Sequence, residues 1–159
     1  MKTQFTQATK EDVSIILQFI KELAEYEKLS HEVVATEAIL EESLFGERKV
    51  AEVIFAEIDN QKVGFCLFFH NFSTFLGKSG IYIEDIYVKP EFRGQGIGKQ
   101  FFAHFAKLAK ERNCGRIEWW CLDWNEKSIN FYKSLGAKPM DEWTVFRLGT
   151  NEIDKLSGL

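Results

Sequence analysis

The chain has 159 residues, 45% of them hydrophobic and 14% aromatic, enough for one domain whose core buries roughly two-thirds of the unfolded surface. Its net charge of −4 argues against nucleic acid as a partner, because that binding depends on basic contacts to phosphates, and it suits a cationic substrate. Cys66, Cys114 and Cys121 are odd in number and lack a C-x-x-C spacing, and no run approaches the roughly 18 apolar residues of a membrane span, so a soluble, cytoplasmic protein with free thiols and no membrane contact is expected.

Residues 4–8 read as a short strand, after which "TKED" opens a helix that Thr9 caps and Asp12 answers. Ile15, Ile16, Phe19, Ile20 and Leu23 give that helix its buried stripe. A polar, acidic connection, "EYEKLSHEV", leads to a second helix over residues 36–45 that Gly46 ends. "KVAEVIFAEI" and "KVGFCLFFHNF" flank "DNQ" and predict a hairpin of antiparallel strands. A third strand covers residues 79–88. Ile81 and Ile83 are apolar at odd positions but Ile86 and Val88 at even ones, a phase change that one extra residue produces, which places a β-bulge at Glu84-Asp85. Ile97, Phe101, Phe105 and Leu108 then mark a helix to about Arg112. "RIEWWCL" predicts a strand, "DWNEKSINFYKSLGA" a short helix closed by Gly136, and "TVFRL" a last strand before a polar tail. The order is mixed α/β: a single mixed, mostly antiparallel sheet flanked by helices, in one domain over residues 1–159.

Between the third strand and the following helix stands "RGQGIGK", with Gly94, Gly96 and Gly98 on alternate positions. Residues without a Cβ at the start of a helix let unpaired amides approach a ligand, and the natural guest is a phosphate. A Walker A loop needs four residues between its first glycine and Gly-Lys, and only three separate Gly94 from Gly98. A dinucleotide fingerprint needs a glycine where Lys99 stands.

What remains resembles the R/Q-x-x-G-x-G/A pyrophosphate loop of the GCN5-related N-acetyltransferase (GNAT) superfamily, with Arg93, Gly96 and Gly98 at its key positions. "ELAEYEKLS", "YIEDIYVKPEFRGQGIG" and "LDWNEKSINFYKSLGA" resemble, in order, segments of the diamine acetyltransferases, related to spermidine/spermine N1-acetyltransferase, and are most similar to the thialysine N-epsilon-acetyltransferase branch.

The resemblance implies acetyl-CoA as cosubstrate, with its pyrophosphate on the amides of Arg93, Gly94, Gln95, Gly96, Ile97, Gly98 and Lys99, and its pantetheine arm along Ile86, Tyr87 and Val88 beside the bulge. Asn125 and Ser128 would contact the cofactor, and Lys127 would reach its phosphates. Glu84 is the expected base for the amine and lines its site, and Tyr132 the expected donor of a proton to the departing sulfur. Tyr26, Glu27 and Glu142 would complete the substrate site. By the residues alone, Glu84 reads rather as a strand-edge carboxylate in a surface salt bridge, and Tyr132 rather as part of the apolar face of a short helix with Phe131 and Leu135. His31, His70 and His104 make no ligand spacing, so no metal is expected. The function implied is acetyl transfer to a primary amine of a small cation (thialysine, a lysine analogue or a polyamine) by direct attack in a ternary complex, in a homodimer. The alternatives are acetylation of a protein N-terminus or lysine side chain, and a noncatalytic acyl-CoA-binding module.

Overall fold

The computed structural model describes residues 2–159, in two compact units. The first, ending at Leu122, holds strands β1 (Gln4–Gln7), β2 (Glu52–Ile58), β3 (Gln61–Ser73), β4 (Lys78–Val88) and β5 (Ile117–Trp119), with helices α1 (Val13–Tyr26), α2 (Glu37–Phe45) and α3 (Ile97–Glu111). The second, from Asp123, holds α4 (Glu126–Ser134) and α5 (Thr150–Ser157).

The sheet runs in the order β1-β2-β3-β4-β5, antiparallel from β1 to β4 and parallel between β4 and β5. Asp59 and Asn60 both have positive φ, 50° and 63°, in the two-residue turn between β2 and β3 that matches the right-handed twist of a hairpin. Thr9 and Asp12 act as expected: the Thr9 N–H donates to the Asp12 carboxylate at 2.8 Å, and one 3-10 turn then leads into α1. Thr36 caps α2, accepting from the Ile39 N–H at 3.2 Å.

Each face of the sheet has its own core. Under α1 and α2, Phe19 stacks on Phe65 with ring centroids 5.3 Å apart and Phe55 beside them. Under α3, Phe68 meets the edge of Phe105 at 4.9 Å, with Phe101, Ile81 and Ile83 around it. All three phenylalanines of each group are fully buried, each contributing about 1.5–3 kcal/mol of burial.

The bulge lies where the parity change put it. Leu67 pairs with Asp85 but Phe68 with Ile83, so Glu84 is the extra residue of β4. The shift keeps Ile81, Ile83, Ile86 and Val88 all against the α3 side. A second irregularity, at Val63 opposite Ala56 and Glu57, gave no sign in the sequence.

Two expectations fail. "RIEWWCL" is a strand only over Ile117–Trp119, and residues 144–148 are not a strand. A β-prone segment becomes a strand only where another strand's backbone takes its hydrogen bonds, and the five-stranded sheet contains none for residues 144–148. The polar tail is helical instead: α5 begins after Gly149, whose carbonyl accepts from the Ile153 N–H at 3.0 Å. No helix among the described residues is long and apolar enough to cross a membrane.

Candidate functional site

β4, the glycine loop and α3 form one continuous strand-loop-helix path. After Val88 the chain makes a tight turn at Pro90–Phe92, extends through Arg93 (φ −72°, ψ 160°) and enters α3 after Gly96. Gly94 and Gly96 sit at φ +77° and +80°, a conformation that L side chains seldom adopt, and a Cβ on either would meet no protein atom within 4 Å. The loop therefore presents bare backbone to open space. Gly98 already belongs to the first turn of α3. The first helical bond of α3 runs from the Gln100 N–H to Gly96 O at 3.0 Å, so the N–H groups of Ile97, Gly98 and Lys99 have no intrahelical acceptor. These donors, at the positive end of a fifteen-residue helix, suit an anion of phosphate size. Gln95 folds back, its Nε2 3.4 Å from Glu91 O, and Lys99 is exposed.

Arg93 is anchored rather than extended. Its Nε donates to Val88 O at 2.7 Å, and its guanidinium lies 4.8 Å from the ring centre of Tyr26 and 5.2 Å from that of Tyr87. Each such cation–π contact is worth about 0.5–2 kcal/mol, depending on how dry it is. Burial, reinforced by the Glu22 carboxylate, pushes the Tyr87 phenol above its ordinary value.

β5 pairs only with Ile81–Ile83. From Glu84 to Val88, that edge of β4 has no strand neighbour among the described residues. Ile86, Tyr87 and Val88 thus form an edge that an extended, amide-bearing chain could join by backbone hydrogen bonds.

At the bulge, a cleft of about 380 Å³ is lined by Leu23, Glu27, Leu29, Val33, Glu84 and Asp85 among others. Glu27 follows the last residue of α1, and Glu84 is exposed at the bulge. Burial raises the Asp85 carboxyl to about 7, with Glu84 and then Glu27 adding repulsion; burial and Glu84 raise Glu27 as well. With Glu32 also in its lining, four carboxyls surround one apolar-walled cleft, which favours a cation that can neutralise them. Asp85 was not singled out from sequence. Its signal was its place at the bulge, and burial is what gives it an unusual acidity.

The remaining expected residues lie in the second unit. Asn125 is the N-cap of α4, its Oδ1 accepting from the Ser128 N–H at 3.3 Å. Lys127 is exposed on the first turn, and Tyr132 sits on the last, its ring centre 5.5 Å from that of Phe131. Gly136, at φ +89°, ends the helix, with the Leu135 and Ala137 N–H groups both on Tyr132 O. Glu142 is exposed in the segment between α4 and α5.

A strand edge opened by a bulge and followed by an anion-binding loop defines an acyl-CoA-dependent transferase. The chain belongs to the acetyltransferase (GNAT) family, whose sequence profile matches residues 17–137. It is 39% identical to the thialysine N-epsilon-acetyltransferase of Mus musculus, over 98% of each chain. With the L-ornithine N5-acetyltransferase of Arabidopsis thaliana it shares 33% identity, over 94% of this chain and 87% of that one. Among solved structures, an integron cassette protein of V. cholerae superposes with a TM-score of 0.82 at 27% identity, covering 99% of this chain and 98% of the other. The protein is thus an N-acetyltransferase, and its acetyl donor is acetyl-CoA. The loop fits that donor, since its bare glycines leave the space in front of the α3 amides open.

Proposed function

We propose that the protein acetylates a primary amine of a small cation of the thialysine, lysine-analogue or polyamine type by direct attack in a ternary complex. The observation that carries this reading is the cleft at the bulge, where Glu27, Glu84 and Asp85 gather beside the open edge of β4. The relatives add support, since both those named above act on amino acids with a terminal amine by their names.

Bound acetyl-CoA supplies the acetyl thioester. The amides of Gly94, Gln95, Gly96, Ile97, Gly98 and Lys99 hold the pyrophosphate, and the backbone of Ile86, Tyr87 and Val88 aligns the pantetheine arm; the Arg93 N–H, expected among those donors, is instead taken by Pro90 O at 3.2 Å, closing the turn before the loop. Asn125, Lys127 and Ser128 add contacts from the start of α4. Tyr26, Glu27 and Glu142 orient the ammonium, whose pKa near 10 requires a base before it can attack. Glu84 accepts that proton, directly or through water, and Tyr132 donates one to the leaving sulfur. Residues 1–159 act as one acetyltransferase domain; the family profile extends over parts of both units. A cytoplasmic homodimer fits the apolar side chains that residues 140–148 expose, Trp143 at 71% and Phe146 at 91%.

The test is thiol release from acetyl-CoA with spermidine, spermine, putrescine, lysine, thialysine and a short basic peptide as acceptors. Turnover on a small amine, greatly reduced in Glu84→Gln and Tyr132→Phe, supports the reading. Turnover on the peptide alone refutes the substrate assignment.

A further inference from the structure

Arg93 begins the glycine loop, yet its side chain points away from the place where a phosphate would lie. It touches two elements, β4 and α1. Its Nε is fixed to Val88 O at the end of β4, and its guanidinium faces the rings of Tyr87 on β4 and Tyr26 on α1. Tyr26 is the last residue of α1, and Glu27, which lines the acidic cleft, is next. The turn that closes α1 is held by the Glu27 N–H on Leu23 O at 2.9 Å and the Leu29 N–H on Ala24 O at 2.8 Å, with Lys28 between them at φ +62°. One side chain thereby touches the strand that feeds the cofactor loop and the segment that supplies two residues of the amine site.

We propose that Arg93 is a positioning residue that couples the two halves of the site: occupation of the glycine loop fixes the end of α1, and with it Tyr26 and Glu27, so that acetyl-CoA loading favours amine binding. The inference rests on the reading of the loop as the pyrophosphate site and of Tyr26 and Glu27 as amine contacts. Gly94 and Gly96 hold φ +77° and +80° without a Cβ to restrain them, so an anion on the loop amides would restrict backbone that glycine leaves freer than any other residue. Arg93 shares that backbone, so its guanidinium is steadied over Tyr26 at the same time. Ordering already accomplished by one ligand is not required again of the second, which produces positive coupling without any large movement. Linkage then requires the amine to tighten cofactor binding by the same factor. Arginine suits the place, because its planar guanidinium can face aromatic rings while Nε still reaches the carbonyl, whereas lysine carries its three donors on one compact nitrogen.

Hydrogen exchange of the full chain, with and without saturating CoA and with no amine present, tests the coupling. In the wild type CoA should slow exchange in the loop and also at Glu27, Lys28 and Leu29, the latter about fivefold, the low end of ordinary site-to-site coupling. Arg93→Lys should keep the loop response and lose the response at Glu27, Lys28 and Leu29. Tyr26→Phe, which keeps a ring, should retain it, and Tyr26→Leu should lose it. A purely structural Arg93 would lower the melting temperature of Arg93→Lys and leave the remote response intact, which overturns the inference, as does a wild-type response confined to the loop. No response at the loop overturns the cofactor reading and the coupling together. If both segments respond but no amine in the panel is acetylated, the amine assignment fails and the coupling stands.

Discussion

Arg112 and Glu52 are joined by two hydrogen bonds, from Nη1 to Oε2 at 2.6 Å and from Nη2 to Oε1 at 2.9 Å. Arg112 directly follows α3 and Glu52 opens β2, so the pair ties the end of one helix to a strand sixty residues away in sequence. The guanidinium also lies 5.7 Å from the ring centre of Phe68. Both side chains remain partly exposed, so the coupling between them should be about 1 kcal/mol, measured by a denaturation cycle of Arg112→Ala, Glu52→Gln and the double variant. The bonds from Arg112 hold the Glu52 carboxyl below its ordinary value, against the opposing effect of burial. A carboxyl lowered in the folded state stabilises above its unfolded pKa and ceases to do so as pH falls through the folded one. The difference between wild type and Arg112→Ala should therefore be full at pH 6 and shrink in acid below about 4, the range of ordinary carboxyl titration.

Asp85 carries the opposite sign. Its carboxyl is raised to about 7, so between the ordinary carboxylate range and that value the folded state holds a proton that the unfolded state releases. Stability falls with rising pH over that interval. Asp85→Asn, which keeps the shape without the charge, should gain on the wild type as pH goes from about 5 to about 8, by a few kcal/mol at most. Chemical denaturation midpoints of the two proteins at both pH values check this; parallel midpoints would falsify the burial of an uncompensated carboxyl there.

Gly96→Ala should separate backbone strain from steric exclusion. A methyl group there meets no protein atom within 4 Å, so the loss of stability comes from φ +80° and should be about 1–2 kcal/mol. That same methyl would occupy open space at the mouth of the loop proposed to hold the pyrophosphate. A thermal melt and a CoA titration of the one variant should show modest destabilisation and a much larger fractional loss of affinity.

For the proton transfers, Glu84→Gln and Tyr132→Phe should each lower kcat by about 10²–10⁴, the usual contribution of a positioned acid or base. The Michaelis constant for acetyl-CoA should change little in either. A steady-state series in acetyl-CoA at saturating amine separates the two parameters.

The bulge and the loop were legible because each leaves a local mark: a change of parity between Ile83 and Ile86, and glycines at a strand-to-helix junction. The Thr9–Asp12 cap was legible for the same reason, since capping is settled within four residues. Residues 144–148 deceived because β-branched and aromatic side chains favour extended backbone but say nothing about whether a partner strand exists. The raised carboxyl of Asp85 comes first from burial, which no neighbouring residue reports, then from adjacent Glu84 and from Glu27, 58 positions earlier in the chain. The stacking of Arg93 on Tyr26 was hidden likewise, although both residues had been chosen for other reasons.

The unpaired stretch of β4 beyond Ile83 also bears on how the protein should be handled. Strand N–H and C=O groups without a neighbouring strand can act as a template for another chain, and natural sheets usually blunt such edges with charge or cover. Here the arm of the cosubstrate would serve as that cover. Purified protein stripped of CoA should therefore self-associate through this edge at concentrations where the loaded protein stays dispersed, so light scattering during storage becomes a gauge of occupancy.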